Sequence, residues 1–564
     1  MGSGCPVRHH GVSKALGCQH AGFGSFGHLF KKPEDGKPLD GFDFDDELLA
    51  IIAGPGGLMH DEGQDSPDSA LPAGYTFFAQ FVDHDVTLDT QSDLNRRDQD
   101  PTDIKNQRTF SLDLDCVYGL GPSANPHLFD QNRSGFLATG ADAGRPWDLA
   151  RSSSGAALIG DPRNDENLFV GQMQLLWIRF HNAMMLSNLG AGNTNANRFE
   201  EVETMVRHHY QYIVLYDFLC RVCHRETFDD TVKLIEQAAE ERRDALKDDP
   251  DAGLPSAFPR VFTHSGPHGT PMPIEFSVAA FRFGHTTVRD RYPANADQLD
   301  IELFDERFGT LGFDALPESL AVDWRLQLEV DPCIDPVNAK AFDHFLPNEL
   351  MAMPDPIVGN TSPNNRSLAF RNLVRGRSLG LASGETVAEA LKAAGYTHIK
   401  LLTRDELFKP SDFEAVGKGN AAKRALELAD EANGTPLFFY LMREAAIEGG
   451  GATLGPVGSA ILLEVFGRML LGCTTSFFFH REGEDFAPFE PAPCVVGEDD
   501  EQRKDHRKKT RKHFLGRHER VLERLAHKYE KAGHVKPAEC DTKLELADIV
   551  RFVESVSGRL DGGI

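Results

Sequence analysis

The sequence lacks features that several classes of protein require. Its 59 Lys and Arg residues are outnumbered by 86 Asp and Glu residues, which gives a formal net charge of −27 at pH 7. General nucleic-acid binders need a dominant basic surface to neutralise phosphate, so this class is excluded. The start of the chain has no basic segment followed by an apolar core and does not match a Sec signal peptide. We therefore expect a cytoplasmic protein by default, unless export uses another route.

Long hydrophobic runs are scarce, and no internal repeat or long low-complexity tract is evident. The most apolar run, "GSAILLEVFGRMLLG" at 458–472, is short for a bilayer span. It carries Glu464 and Arg468 at helical spacing. This pattern favours a buried core helix over a transmembrane segment.

Nine cysteines are spread along the chain without the spacing of a small disulfide framework, and we expect most of them to be reduced. Cys220, Cys223 and His224 form a C-x-x-C-H motif, which is the signature of covalently attached c-type haem. The motif follows an aromatic helical segment, and no export signal is present. We favour two buried thiols and a surface histidine over haem attachment.

Helical periodicity dominates the sequence and predicts a mainly α fold. Apolar residues recur at helical spacing over 168–188, 200–222, 420–432 and 457–472, while period-2 alternation is rare. Near the C-terminal end, the basic stretch 503–531 combines mixed charges with apolar positions. We interpret it as a solvated helix that packs through one stripe on an acidic body. A surface for an acidic partner or a membrane is the alternative.

The stretch "FAQFVDHDVTLD" at 78–89 places two acids and a histidine side by side among apolar residues. A helix advances about 100° per residue. Gln80, Asp83 and His84 therefore share one face, while Asp85 turns away from it. One face can serve a reactive centre, and Asp85 can serve another site.

Three further fragments supply candidate partners for the histidine. "GDPRNDENLF" at 160–169 carries Arg163 and Glu166 three residues apart, so both can point to one side at the start of a helix. A solitary histidine or arginine is more often structural than catalytic, but four such fragments in this order form a pattern. The fragments "FRFGHTTVRDR" at 281–291 and "AFRNLVRGRSLGL" at 369–381 add His285, Asn372, Arg375 and Arg377.

Over about 70–475 the sequence resembles the animal-type haem peroxidases of the peroxidase–cyclooxygenase superfamily, in a bacterial form. "AQFVDHD" is similar to the distal helix of that family, "GDPRNDEN" to its catalytic-arginine segment, "FRFGHT" to its proximal helix and "RNLVRGR" to its propionate-binding segment. "GATLGPVGSAILLEVF" resembles a block found in bacterial relatives. The resemblance implies one mainly α haem peroxidase domain at 46–480 with few short strands. An N-terminal extension at 1–45 and a charged C-terminal extension at 481–564, packed on the domain, complete the chain.

The resemblance also implies roles for the residues of the four fragments and a haem b cofactor. They are His84 as distal histidine, Arg163 as distal arginine, Gln80 as the residue that orders water or a halide, His285 as axial ligand of the haem iron, Asn372 as partner of its other ring nitrogen, and Arg375 as propionate contact. The expected enzyme reduces hydrogen peroxide through an oxyferryl intermediate and oxidises small aromatic donors, halides or thiocyanate. A role in the response to oxidative stress would follow.

These roles are chemically coherent without the family label. A neutral His84 can take a proton from peroxide and return it to the departing oxygen. Arg163 can stabilise the negative charge that grows as the peroxide bond breaks. His285 can hold iron from the opposite side, with an amide at Asn372 fixing its tautomer.

In the family, ester bonds to haem methyl groups come from the acid before the distal histidine and the glutamate three residues after the distal arginine. Those positions are Asp83 and Glu166 here, and we expect ester-linked haem. The alternative, carboxylates on a helix surface, fits poorly with the apolar surroundings of Asp83. Asn167 stands where myeloperoxidase has the methionine of its sulfonium link, so chloride oxidation is in doubt.

A calcium site is the last implication of the resemblance. Asp85 would supply one ligand, and the loop "TFSLDLDCVYG" at 109–119 would supply the others, which are Thr109, the carbonyl of Ser111, Asp113 and Asp115. Oxygen ligands on an extended loop suit a hard cation with a flexible shell. A turn rich in Asp is the alternative interpretation.

Two other functions remain open. Fatty-acid dioxygenases of the cyclooxygenase-like branch share the fold, but their radical-forming tyrosine lies three residues before the proximal histidine, where this chain has Arg282. A haem- or calcium-binding protein without turnover is the second alternative. It would need neither His84 nor Arg163. The oligomeric state is open.

Overall fold

The computed structural model describes residues 24–560 except 33, 64–65, 95, 98, 188–194, 265–268, 305–311, 332–333, 360, 484, 488, 493–494, 496–539 and 541. Helices dominate this part of the chain, as the sequence periodicity predicts. The predicted mainly α fold is therefore confirmed. The basic stretch 503–531 lies outside the described residues.

The α-helices of the described residues vary from one turn to more than six. They are α1 (Asp46–Ala53), α2 (Gly74–Val86), α3 (Asp115–Tyr118), α4 (Leu168–Leu186), α5 (Asn195–Tyr212), α6 (Leu219–Val222), α7 (Arg225–Asp248), α8 (Asn348–Met351), α9 (Asp355–Val358), α10 (Pro363–Arg366), α11 (Leu368–Ser378), α12 (Gly384–Ala393), α13 (Arg404–Leu407), α14 (Pro410–Glu414), α15 (Gly419–Ala432), α16 (Leu437–Ile447), α17 (Pro456–Gly472) and α18 (Leu546–Leu560). Short 3₁₀ turns are Pro101–Asp103, Pro126–Leu128, Gly140–Ala143, Pro162–Asp165, Ala280–His285, Glu318–Leu320, Trp324–Leu326 and Phe477–Phe479. Ile213–Phe218 and Glu275–Ala279 are π-helical.

The strands are short and pair in small groups at the edges of the helical body. They are β1 (Gly24–Gly27), β2 (Asp68–Pro72), β3 (Lys105–Asn106), β4 (Met272–Pro273), β5 (Arg291–Tyr292), β6 (Ile301–Glu302), β7 (Asn338–Lys340), β8 (Arg481–Glu482) and β9 (Asp485–Phe486). β1 lies between antiparallel β3 and parallel β4, and β2–β7, β5–β6 and β8–β9 form antiparallel pairs.

Helix α2 is buried on almost every side, which places its polar residues inside the protein. Phe78 and Phe81 stack on Trp177 of α4, with ring centroids 6.2 and 6.1 Å apart. The helix ends where Thr87 turns to an extended conformation and its N–H donates to the carbonyl of Asp83. A helix that is apolar on most sides is stable only in a core, and this one carries His84 and Asp85 with it.

Helix α17 forms another part of the core, as its apolar sequence predicts. The segment Pro456–Phe479 is apolar and long enough to cross a membrane, but 89% of its most apolar window is buried inside the protein. The carboxylate of Glu464 accepts hydrogen bonds from the Tyr396 hydroxyl at 2.7 Å and from the N–H of Arg260 at 3.0 Å. These contacts satisfy a buried acid that a lipid environment would leave without partners.

The segment that carries His285 is less regular than the predicted proximal helix. The π-helical turn Glu275–Ala279 gives way to the 3₁₀ turn Ala280–His285 at Ala279, whose φ of −126° and ψ of −74° interrupt the helical path. The segment is helical, as the resemblance to a proximal helix implies, but its helix type changes at Ala279. Changes of helix type often mark functional positions, because they re-aim the side chains that follow.

The described part of the C-terminal extension packs on the helical body. Phe552 of α18 meets Phe180 of α4 edge to face, with ring centroids 5.8 Å apart. The N–H of Leu546, the first residue of α18, donates to the buried Asp217 carboxylate at 2.8 Å. A buried acid of the body therefore caps and anchors this helix.

The cysteine prediction needs correction. Cys220 and Cys540 form a disulfide across a sequence separation of 320, and Cys473 is also disulfide-bonded. Among the described cysteines, only Cys116 and Cys223 are free, and both are buried. Sequence spacing cannot reveal a pairing between segments so far apart. Because Cys220 is in a disulfide, the C-x-x-C-H motif has only one thiol left and does not attach haem. The cytoplasmic location stays a prediction.

Candidate active site

Helix α2, the turn Pro162–Asp165, the segment Ala280–His285 and α11 meet through side-chain contacts, and we call the region between them the crevice. The side chains of Arg163, Arg282 and Arg375 are 26%, 24% and 28% exposed, although the elements that carry them are mostly buried. Solvent therefore reaches part of each of these three side chains. Other sequence-predicted residues with partial exposure in this region are Gln80, Glu166 and His285.

His84 is held from one side by an amide. Its Nδ1 lies 2.7 Å from Oδ1 of the fully buried Asn164. Its Nε2 makes no hydrogen bond with any residue that the structure describes. Burial, followed by the charge of Arg163, lowers the pKa of His84 to about 4. The imidazole is therefore neutral near pH 7 and can accept a proton.

Arg163 is fixed beside His84 by a buried acid. Its Nε and Nη2 donate to Asp161 at 3.0 and 2.7 Å, and Nη2 also donates to the carbonyls of His84 and Thr87 at 3.1 and 2.6 Å. Asp161 also binds Arg108, whose Nε donates to the same His84 carbonyl at 3.1 Å. Nη1 of Arg163 makes no hydrogen bond within the described residues and is the nitrogen that remains for a ligand.

Gln80 joins α2 to the segment that precedes α4. Its Nε2 donates to the carboxylate of Glu166, and its Oε1 accepts from Nδ2 of Asn167 at 3.2 Å. Asn167 also caps α4 by accepting from the N–H groups of Phe169 and Val170. Burial raises the pKa of Glu166 to about 7, against the opposing charge of Arg163.

Asp83 bridges the two sides of the crevice. Its Oδ2 accepts from Nη1 of Arg282 at 3.1 Å, and its Oδ1 accepts from the hydroxyl of Thr87 at 3.0 Å. Nε of Arg282 donates to the carbonyl of Ser277 at 2.8 Å. Arg282, three residues before His285, is therefore an ion-pair partner of Asp83.

His285 faces an amide of α11. Its Nδ1 lies 3.0 Å from Nδ2 of Asn372. Burial, followed by the charge of Arg282, lowers the pKa of His285 to about 3, which keeps the ring neutral. Binding a metal through Nε2 requires a proton on Nδ1 and the amide oxygen facing it. A 180° turn of the Asn372 amide achieves this, and no other hydrogen bond within the described residues opposes the turn.

The two predicted basic residues of α11 differ in position. Arg375 pairs with Asp89, while its Nε is buried without a hydrogen-bond partner among the described residues. Arg377 instead donates to the carbonyl of Phe44 at 2.7 Å and pairs with Asp46. Arg375 therefore lies close enough to Arg282 and Asp83 to interact with their charges, whereas Arg377 is held at the start of α1.

A second site lies on the far side of α2, where Asp85 points to the loop before α3. Its carboxylate accepts from the N–H of Leu114 at 3.2 Å and of Cys116 at 3.5 Å. Burial raises the pKa of Asp85, Asp113 and Asp115, and the neighbouring acids raise those of Asp85 and Asp115 further. Oδ1 of Asp113 is buried with no hydrogen-bond partner among the described residues. The charges of Arg108 and Arg207 oppose these shifts, but the pKa of each acid still rises.

The loop around this cluster is not fully extended, contrary to the sequence prediction. Leu114 adopts a left-handed conformation with φ of 60°, and Asp115 begins α3. The hydroxyl of Thr109 donates to Asp113 at 2.6 Å, and Ser111 is buried. The five predicted residues therefore lie in α2, in the loop it faces and at the first position of α3.

Sequence reasoning missed the residues that hold the predicted ones in place. Asp161 positions Arg163, and Asn164 positions His84; both lie within the fragment "GDPRNDEN", so their proximity to Arg163 was the available signal. The contact of Arg282 with Asp83 had no signal, since the two residues are 199 positions apart.

The sequence itself matches a family model. The model of the animal haem peroxidases matches residues 90–488, and the chain belongs to that family. It is thus a member of the peroxidase–cyclooxygenase superfamily, whose members bind haem. No curated protein sequence matches the chain.

Solved structures show the same fold at low sequence identity. Peroxidase A from Dictyostelium discoideum has a TM-score of 0.52 and 14% identity, covering 83% of this chain and 93% of that chain. Fatty acid alpha-dioxygenase from Arabidopsis thaliana has a TM-score of 0.52 and 16% identity, covering 82% and 74%. The Oryza sativa fatty acid alpha-dioxygenase with palmitic acid has a TM-score of 0.50 and 17% identity, covering 83% and 81%. Because both enzyme types share the fold, this likeness shows the fold and does not distinguish one activity from the other.

Proposed function

We propose that the protein is a haem peroxidase that reduces hydrogen peroxide and oxidises a small donor. The observation that carries this proposal is the pair of neutral histidines, His84 and His285, whose segments are joined by the ion pair between Asp83 and Arg282 at 3.1 Å. Each histidine has its Nδ1 beside an asparagine amide, while Nε2 makes no hydrogen bond among the described residues. One Nε2 can bind a metal and the other can move a proton.

The donor set fits haem. His285 would offer a nitrogen ligand to the iron, and the buried Nε–H of Arg375, which lacks a partner among the described residues, would donate to a propionate oxygen. Bound haem would supply an iron that accepts oxidising equivalents from peroxide. Asp83 and Glu166 would lie at its edge.

The protein residues then move one proton and stabilise one charge. Nε2 of His84 takes a proton from hydrogen peroxide and returns it to the departing oxygen as water. Nη1 of Arg163 stabilises negative charge on that oxygen, and Asp161 keeps the guanidinium in place. Gln80 orders a water molecule, or a halide or thiocyanate donor, beside His84. Small aromatic donors would reach the accessible edge of the crevice.

A fatty-acid dioxygenase is the alternative function, because enzymes of that type share the fold. An assay of phenol oxidation and oxygen uptake distinguishes it from a peroxidase. A peroxidase oxidises a phenol only when hydrogen peroxide is added, and it consumes no oxygen with a long-chain fatty acid alone. Oxygen uptake with the fatty acid in the absence of peroxide would overturn the proposal. No tyrosine lies within Ala280–His285, and Arg282 cannot carry a tyrosyl radical.

We propose that the haem becomes covalently attached through Asp83 and Glu166. Each ester would join a carboxyl oxygen to a haem methyl carbon. The carboxylic acid and the methyl group would together lose two electrons and two protons, which would reduce one hydrogen peroxide to two water molecules. After peroxide turnover, acid acetone is expected to leave the haem on the wild-type protein and to extract it from the double variant Asp83→Asn, Glu166→Gln.

Asp165→Asn is the matched control for this prediction. Asp165 lies beside Glu166 but pairs with Arg151, with distances of 2.7 and 2.8 Å to its carboxylate oxygens. The haem of the Asp165→Asn variant is expected to stay attached after peroxide turnover. Complete extraction from the wild type after turnover would contradict the ester assignment.

We propose that Asp85, Thr109, Ser111, Asp113 and Asp115 bind calcium. The buried Oδ1 of Asp113 and the three clustered carboxylates provide oxygen donors for a hard cation. Calcium at about 100 times its dissociation constant is expected to stabilise chelator-treated protein by roughly 2.7 kcal/mol, measured as a rise in Tm. Asp85→Asn should lose this response, whereas Asp148→Asn, a buried acid paired with Arg151, should keep it. A Tm indifferent to calcium in the wild type would contradict the site.

A further inference from the structure

A chain of buried amides connects the inner nitrogen of His84 to a backbone carbonyl. Oδ1 of Asn164 lies 2.7 Å from Nδ1 of His84, and Nδ2 of Asn164 lies 2.7 Å from Oε1 of Gln174. Nε2 of Gln174 lies 3.0 Å from the carbonyl oxygen of Cys116. Asn164 and Gln174 are both 0% exposed, so solvent water cannot replace these contacts.

The carbonyl at the end of the chain sets the direction of every hydrogen bond in it. A carbonyl oxygen only accepts, so Gln174 must present its NH₂ group to Cys116. Oε1 of Gln174 then accepts from the NH₂ group of Asn164, which leaves Oδ1 of Asn164 to accept from the imidazole. Nδ1 of His84 therefore carries the proton. In a neutral ring, Nε2 must then carry the lone pair.

We propose that Asn164 and Gln174 are positioning residues that fix the Nδ1–H tautomer of His84 and so keep its Nε2 unprotonated toward the crevice. This inference rests on the proposed function, in which Nε2 is the base. Turning either amide would place two acceptors or two donors against each other in a buried site, which leaves buried groups unsatisfied. The opposite tautomer is disfavoured for the same reason.

The amide beside His285 is held less firmly than the amide beside His84. The Asn372 amide beside His285 has no second hydrogen bond within the described residues and can turn freely between its two orientations. Asn164 cannot, because Gln174 and the Cys116 carbonyl hold it. The distal tautomer is thus set by the protein, whereas a bound metal can select the proximal one.

The association rates of two ligands with the ferric holoenzyme distinguish an effect on proton transfer from an effect on access to the iron. Hydrogen cyanide must give its proton to a distal base as it binds, while nitric oxide binds without losing a proton. Asn164→Leu and Gln174→Leu are expected to slow cyanide association by about 10–100-fold, the usual effect of losing an outer hydrogen-bond partner. Nitric oxide association should stay at the wild-type rate. Asn164→Asp keeps an oxygen acceptor for Nδ1 and should restore cyanide association above the level of the leucine variant.

Gln172→Leu provides the matched control on the same helix. Gln172 is a buried amide two residues from Gln174, but it donates to the carbonyl of Trp147 at 2.8 Å and accepts from the N–H of Val322 at 3.2 Å. Its loss should leave cyanide association unchanged. Unchanged cyanide association in the Asn164 and Gln174 variants, or an equal slowing of nitric oxide, would overturn the inference. A wild type that binds cyanide but does not react with peroxide would instead refute the proposed function, and the cyanide comparison would still decide the tautomer.

Discussion

Replacing His84 with alanine is expected to lower the second-order rate constant for the reaction with hydrogen peroxide by about 10²–10⁴-fold, the usual contribution of a positioned acid–base group. The physical reason is that the neutral Nε2 of His84 is the base within the crevice that is placed to take the peroxide proton. Haem binding should persist, because the proposed iron ligand, His285, lies on a different segment of the chain. Stopped-flow absorbance after mixing with peroxide gives the rate constant.

His181→Ala is the control for this prediction. His181 is buried in α4, its pKa is likewise lowered to about 4 by burial, and it contacts the Tyr118 hydroxyl at 3.0 Å and the Gly135 carbonyl at 2.8 Å. It lies outside the crevice residues, so its loss should affect stability but not the peroxide rate constant. Equal rate constants for wild type and His84→Ala would remove His84 from the mechanism.

Replacing Asp161 with alanine is expected to cost about 3–5 kcal/mol of unfolding free energy, because it leaves buried charges without their partner. Asp161 is 0% exposed and binds both Arg108 and Arg163. The same change should slow the peroxide reaction, since Arg163 loses the acid that orients its guanidinium. Denaturant unfolding and stopped-flow kinetics measure the two effects.

The dependence of the unfolding free energy on acidic pH should also change in the Asp161→Ala variant. Burial alone would raise the pKa of Asp161, but the hydrogen bonds and charge of Arg163, with Arg108, hold it below its ordinary value. A depressed folded-state pKa adds stability above the unfolded value of about 3.9, and this stability is lost as pH falls below it. The variant should therefore lose less stability than the wild type between about pH 4 and pH 2.

Asp148→Ala separates the two effects of Asp161. Asp148 is also buried and pairs with an arginine, Arg151, at 2.9 Å, but none of its contacts reaches the crevice. It should lower the unfolding free energy without changing the peroxide rate constant. A stable Asp161→Ala variant with wild-type kinetics would contradict the role of this acid.

The local geometry of α2 could be predicted from the sequence because a helix fixes which residues share a face. The 3.6-residue period puts Gln80 and His84 toward one side and Asp85 toward the other. In the structure His84 contacts Asn164, while Asp85 contacts the backbone N–H groups of Leu114 and Cys116. The mainly α fold followed from the same periodicity.

Contacts between distant segments could not be predicted in this way. The Cys220–Cys540 disulfide and the Asp83–Arg282 ion pair join residues that are far apart in sequence, and local patterns carry no information about such pairs. The hydrogen-bonded chain from Asn164 to Gln174 could not be predicted either, because the direction of its hydrogen bonds is set by the Cys116 carbonyl, which lies on a third segment. The irregular turn before His285 depends on backbone angles at Ala279 that the apolar sequence does not specify.

The absorption spectrum of the purified holoenzyme before and after one equivalent of hydrogen peroxide tests the central claim most directly. The account predicts a ferric Soret band that changes rapidly on mixing and returns to the ferric spectrum when a phenolic donor is added. A protein without a haem band, or a haem spectrum that does not respond to peroxide, would contradict it.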